Sequence, residues 1–152
     1  HMEGILELLA EEPFAGRADL PQLAEETDLT DAELLEVTNA LLLLGFAHLL
    51  DGDILLTELG ARYAAIMATE DSGARQAVFG KQLLEHVPLI AYICHGLAQD
   101  RSGDLPEDLF LKLLRFTLSE EEAERALRVA IEWGRYGDLF EYDFNTGVIQ
   151  SA

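Results

Sequence analysis

The side chains that could do covalent or metal chemistry are few and scattered. Cys94 and His95 are neighbours, and adjacent residues on a helix point about 100° apart, so they form neither a Cys–His nucleophile pair nor two ligands of one ion. His48 and His86 lie far from them along the chain, and no HxxxH or CxxC spacing occurs. Cys94, between Ile93 and Leu97, reads as a small core residue. Gly73 and Gly80-Lys81-Gln82 lack the four-residue gap of a Walker loop, and Gln82 stands where a Ser or Thr would hold magnesium. The acid pairs Glu11-Glu12 and Glu25-Glu26 fall at helix ends, where dipole preference and solubility explain them. The residues therefore offer no catalytic, cofactor-binding or metal-ligating set.

What remains is recognition chemistry near the end of the chain. Arg125, Arg128 and Arg135 sit on or just after a long helix that also carries Glu120, Glu121, Glu122, Glu124 and Glu132. Arg125 and Arg128 follow Glu121 and Glu124 by four residues, the favourable order for helical ion pairs, which predicts a salt-laced solvated face. Trp133, Tyr136, Phe140, Tyr142 and Phe144 form an aromatic cluster. It reads as core between that helix and a hairpin, with a partner-docking surface as the alternative.

These residues must be positioned by short, punctuated elements. Residues 3–10 have apolar positions at helical spacing and are stopped by Pro13. Asp19-Leu20-Pro21 opens a second helix, whose buried edge is Leu20, Leu23 and Ala24, and Thr27-Asp28-Leu29 is the turn after it. Thr30 and Glu33 make a capping box for a third helix over 31–44, with Gly45 at its left-handed end. Asp51-Gly52 predicts a two-residue hairpin between strands at 47–50 and 53–56, and Thr57 caps a helix over 58–68. Two further helices divided at Pro88 span 72–100, and 101–104 is a loop. The opening theme then recurs. Asp104-Leu105-Pro106 echoes Asp19-Leu20-Pro21, Ser119 and Glu122 make a second capping box, Gly134 falls where Gly45 closed the first long helix, and strands follow at 139–142 and 148–150.

The predicted fold is mainly α with two small β-hairpins: tandem winged-helix-like units at 3–70 and 104–152, joined by a central helical pair at 71–103, in one compact accessory domain. Convergence on a common local pattern is the alternative to duplication. His1-Met2 reads as a tag remnant, which implies a natural chain extending upstream.

Winged helices commonly read DNA, but the charge opposes it here. The 152 residues carry a net charge of −19. Residues 3–70 hold fifteen acids against Arg17 and Arg62, and residues 71–152 hold fourteen acids against eight bases. Such a field repels nucleic acid and anionic lipid. The 31–44 helix has no base at all, and the wing tip is Asp51-Gly52-Asp53, whereas DNA binders neutralise about 6–10 phosphates. That helix, apolar on nearly every side at 40–44, is instead expected to be buried on more than one face. A single cysteine and the absence of a signal peptide or a span of ~20 apolar residues point to a soluble, cytoplasmic chain.

Three phrases carry a resemblance: Leu56-Thr57-Glu58-Leu59-Gly60-Ala61-Arg62, Leu83-Leu84-Glu85-His86-Val87-Pro88-Leu89, and Trp133-Gly134-Arg135-Tyr136-Gly137-Asp138-Leu139-Phe140-Glu141-Tyr142-Asp143. In this order and spacing the chain, from Asp19 to Ile149, resembles the AAA-associated C-terminal domain found after the ATPase domain in nitrate/sulfonate/bicarbonate-type ABC importer ATP-binding proteins. The resemblance implies a non-catalytic regulatory or protein-interaction domain at the cytoplasmic face of the inner membrane. Its implied partners are the ATPase domain of the same parent chain and its dimer mate, with the transporter's membrane subunits reached indirectly. A homodimer and a small-molecule effector are compatible with it; cofactors and nucleic acid are not expected. His86, Pro88, Leu89, Arg135 and Tyr136 are the expected contact residues. The alternative function is a winged-helix transcriptional regulator or cofactor.

Overall fold

The computed structural model describes residues 2–152 and divides the chain into two compact units, with the boundary after Arg75. The first unit holds α1 (Met2–Ala10), β1 (Arg17–Asp19), α2 (Leu20–Glu25) and α3 (Asp31–Leu43), then β2 (Ala47–Leu50), β3 (Asp53–Leu56) and α4 (Glu58–Ala68). α5 (Ser72–His86) begins in the first unit and runs on into the second. The second unit continues with α6 (Pro88–Gln99), β4 (Asp104–Pro106), α7 (Glu107–Leu114), α8 (Glu120–Tyr136), β5 (Phe140–Asp143) and β6 (Val148–Ser151). The predicted helices are all present, and Pro88 divides α5 from α6 by sitting in the first turn of α6, where its missing N–H costs nothing.

Each unit repeats the order helix, strand, helix, helix, hairpin, as tandem winged-helix-like units require. Each hairpin gains a third antiparallel strand, giving sheet orders β1-β3-β2 and β4-β6-β5. In the first unit Ile5, Leu6 and Leu9 of α1 join Leu23, Leu41, Phe46, Ile54 and Tyr63 in the core, with Phe46 stacked on Tyr63 at 4.7 Å. In the second, Phe79, Leu83, Ile90 and Ile93 join Phe110, Leu127, Phe140 and Ile149.

The predicted punctuation operates in the first unit. The Thr30 hydroxyl accepts from the Glu33 N–H at 3.2 Å, and the Thr30 N–H donates to Glu33 Oε2 at 2.8 Å. Asp51 and Gly52 both have positive φ, 53° and 81°, the type I′ geometry that joins β2 to β3. The Thr57 hydroxyl donates to the Gly45 carbonyl at 2.7 Å and accepts from the Gly60 N–H at 3.0 Å, tying the start of α4 to the end of α3.

Five expectations are corrected. The 101–104 loop ends in β4, because Leu105 pairs with Ile149. The Asp-Leu-Pro echo is out of register: Asp104-Leu105-Pro106 is a strand, whereas Leu20 and Pro21 begin a helix. Gly134 does not close its helix; α8 continues to Tyr136, and the left-handed residue is Asp138, φ 58°. Only the hydroxyl half of the second capping box forms, Ser119 accepting from the Glu122 N–H. Finally, α3 is buried on one face only, through Leu34, Val37, Thr38 and Leu41, while Leu35 and Leu43 are 61% and 49% exposed. Met2, read as tag, is the first residue of α1; His1 lies outside the described residues.

Candidate functional site

A concave surface that gathers charged and aromatic side chains belongs to the second unit and is built on α8. Glu120, Glu121 and Glu122 in its first turn complement the helix dipole, and Ser119 caps it. Ala123, Leu127, Ala130, Ile131 and Gly134 bury one face. Gly134 is there for contact: a Cβ would lie 2.0 Å from Cζ of the buried Phe140, so only glycine lets β5 run this close to the helix. The hairpin that follows carries Tyr142 and Phe144 back toward α7 and α8.

Between these elements lies a cleft of about 510 Å³. Its apolar floor is Leu111, Leu127 and Ile131, and Tyr142 and Phe144 close one side. Glu107, Glu124 and Glu132 supply acid, and Arg128 and Arg135 supply base. The Tyr142 hydroxyl donates to Glu107 Oε2 at 2.8 Å; partial burial first, and then this carboxylate, push the phenol above its ordinary pKa. The Glu107 N–H donates to the Gly147 carbonyl at 2.8 Å, so one residue holds both ends of the β5–β6 turn against α7. Asp143 steadies the turn from inside: the Asn145 N–H donates to its carboxylate at 2.8 Å, which with Thr146 lowers its pKa.

Arg135 lies over the Phe144 ring at 4.9 Å, and Phe144 meets Tyr142 edge-on at 4.9 Å. The ion pairs predicted for α8 do not form. Among the described residues neither Arg125 nor Arg128 comes within 4.0 Å of a carboxylate, whereas Arg17 pairs with Asp53 and Arg115 with Asp108 and Glu120. In the first unit, Arg17 is committed to Asp53, at 2.7 Å.

The expected contact residues separate. Arg135 is exposed on the cleft wall, but Tyr136 turns the other way and meets Phe79 edge-on at 5.2 Å. His86 and Pro88 are exposed at the α5–α6 turn, and Leu89 is half-buried. One turn before His86, Leu83 packs on Gly137, so the second and third distinctive phrases do meet in space, through residues other than those singled out. The aromatic cluster divides in the same way: Phe140 is fully buried, Trp133 and Tyr136 pack around Phe79, and Phe144 is 73% exposed.

Sequence reasoning missed Arg128, Glu132 and Phe144 as parts of one surface. The signal was the spacing of Glu124, Arg128, Glu132 and Arg135, which puts alternating charge on one side of a helix. Elsewhere the chemistry is sparse. Burial raises the pKa of the half-buried Cys94 and so keeps it a thiol. A second cleft, about 520 Å³ in the first unit, is lined mainly by small side chains of α1 and α4, including Ala10, Ala61, Ala64 and Ala68. No described helix is long and apolar enough to cross a membrane.

A family model described as the C-terminal AAA-associated domain matches residues 21–143, most of the chain and parts of both units. No curated protein and no solved structure matches the chain.

Proposed function

The chain belongs to the C-terminal AAA-associated domain family, and from that premise we propose that it is a non-catalytic regulatory or protein-interaction domain of the ATP-binding subunit of a nitrate/sulfonate/bicarbonate-type ABC importer. The observation that carries the reading is the family match running through both units. The acidic wing tip and base-free α3 support a protein partner over a nucleic acid. The proposed partners are the ATPase domain of the parent chain and its dimer mate, on the cytoplasmic face of the inner membrane.

Regulation of this kind requires differential affinity. A domain that binds the open and closed ATPase equally shifts nothing, however tightly it binds. The contact surfaces offered are the His86–Pro88 turn and the cleft edge at Arg135, with Tyr136 as the packing residue that seats the end of α8 on Phe79. The test is ATP hydrolysis and transport by the full-length parent with and without this domain. A changed rate is expected; unchanged hydrolysis with unchanged transport overturns the proposal. Salt-dependent DNA binding near ~1 μM at physiological salt favours a transcriptional regulator instead.

A further inference from the structure

We propose that α8 is a self-association surface, on which two copies of this chain pair their α8 helices antiparallel about a two-fold axis level with Ala130. The inference comes from the order of charge along the cleft wall. Glu124, Arg128, Glu132 and Arg135 lie within an arc of about 80° on one side of the helix. At the helical rise per residue, Arg128 and Glu132 stand about 3 Å either side of the Ala130 level, and Glu124 and Arg135 about 8 Å either side. Reversing the helix therefore sets Glu124 opposite Arg135 of the second copy and Arg128 opposite its Glu132, with both pairs repeated by symmetry. A parallel pairing would set like on like. Glu121, on the same arc, falls beyond the end of the opposing helix. A surface that is complementary to itself only when reversed is what a two-fold interface requires.

Among the described residues none of the four takes part in an ion pair, so all four are available. Phe144, exposed at the rim beneath Arg135, and the half-buried Leu111 on the cleft floor supply apolar surface for a second helix to cover. The charge pairs set register and orientation, and the apolar contacts carry the affinity. The net charge of −19 opposes association at long range, but at about 0.15 M salt charges more than ~8 Å apart are screened and those in contact are not. The inference rests on the second unit's geometry alone, so a parent ATPase indifferent to this domain leaves it standing.

Sedimentation of the whole chain at about 0.15 M salt, from ~10 μM to ~1 mM, tests it. The mass is expected to climb toward that of a dimer. Arg128→Glu and Glu132→Arg, each at an exposed position and each checked for unchanged circular dichroism, should weaken association at least about tenfold. An equimolar mixture of the two variants, and the Arg128→Glu/Glu132→Arg double variant, should each recover it, because both arrangements restore opposite charge at every pair. A wild-type chain that stays monomeric overturns the proposal. So does a dimer indifferent to either reversal, or two weakened variants that fail to recover when mixed or combined.

Discussion

The two long helices leave their units by the same hydrogen bonds. The Phe46 N–H donates to the Leu41 carbonyl at 3.0 Å, and the Leu139 N–H donates to the Gly134 carbonyl at 2.9 Å. Gly45 and Asp138 hold the matching left-handed positions. Aligned there, Leu41 and Ala47 of the first unit correspond to Gly134 and Phe140 of the second, and all four are buried. One unit fills the joint between helix and hairpin with a large residue from the helix and a small one from the strand; the other reverses the sizes. The joint is kept by total volume rather than by residue type. Two differences in length then separate the surfaces. α8 has 17 residues against 13 in α3, about one turn more, and the β5–β6 turn has room for Phe144 where β2 and β3 are joined by Asp51-Gly52 alone. The cleft with its alternating charges belongs to the longer version, and the shorter one has an acidic hairpin and exposed leucines. The surfaces of the two units can therefore differ while the joint between helix and hairpin stays filled in each.

The comparison breaks most sharply at glycine. A Cβ on Gly60 would lie 1.9 Å from the Phe46 carbonyl oxygen, a backbone atom held by the Thr57 N–H at 3.0 Å and unable to turn aside. Gly60→Ala should cost about 3 kcal/mol or more, measured by denaturant unfolding. The corresponding obstacle at Gly134 is a side chain, the Phe140 ring. Gly134→Ala should cost less, about 2 kcal/mol, partly because alanine is the better helix former. In a Phe140→Leu background the added methyl has room, and the penalty of Gly134→Ala should shrink. Simple additivity of the two substitutions would show that the ring is not what the glycine accommodates.

A smaller effect of opposite sign is expected at Thr38. Its hydroxyl is buried in α3 and meets no hydrogen-bond partner among the described residues, and the aligned position in α8 is Ile131, which has no polar side-chain atom. Thr38→Val keeps the shape and removes the unsatisfied group, so it should raise stability by about 1 kcal/mol in the same unfolding measurement. A loss would mean that the hydroxyl has a partner, such as a water, that its surroundings do not reveal.

How much of this could be read in advance followed from distance along the chain. Thr30 and Glu33, or Asp51 and Gly52, act on backbone within a few residues, and those elements appear as predicted. β1 and β4 have three residues each and exist because Ala18 meets Ile54 and Leu105 meets Ile149, a pairing that no local pattern announces. Gly134 looked like a helix end because Gly45 is one. Its reason is Phe140, and its kind of glycine is told from the other only by what faces it. Within the candidate site, residue types and helical face were legible at Arg128 and Arg135. That Arg128 takes no glutamate of its own helix, and that Phe144 rises from the turn as an exposed ring, depends on how the hairpin returns to α8.

The last difference between the units is in where each keeps an acid-sensitive anchor. Glu33 in the first unit is held below the ordinary glutamate range, first by the Thr30 N–H and then by its hydroxyl, and Asp143 in the second by the Asn145 N–H and by Thr146. Both pKa values are depressed in the fold, so each carboxylate binds its proton less readily there than in the unfolded chain. The stability each contributes is present above the ordinary carboxyl range and is lost as pH falls through the depressed folded value. Both residues remain partly open to solvent and the contributions are small, so the sensitive readout is local. Carboxyl ¹³C titration should place Glu33 below the ordinary glutamate range and Asp143 below the ordinary aspartate range. Amide exchange at Thr30 and Asn145 should accelerate over the same acidic interval. Glu33→Gln should remove the change at Thr30 and leave Asn145 as it was, and Asp143→Asn should do the reverse. If one substitution flattened both profiles, the two anchors would be titrating as one system, and treating each unit's acid response separately would be wrong.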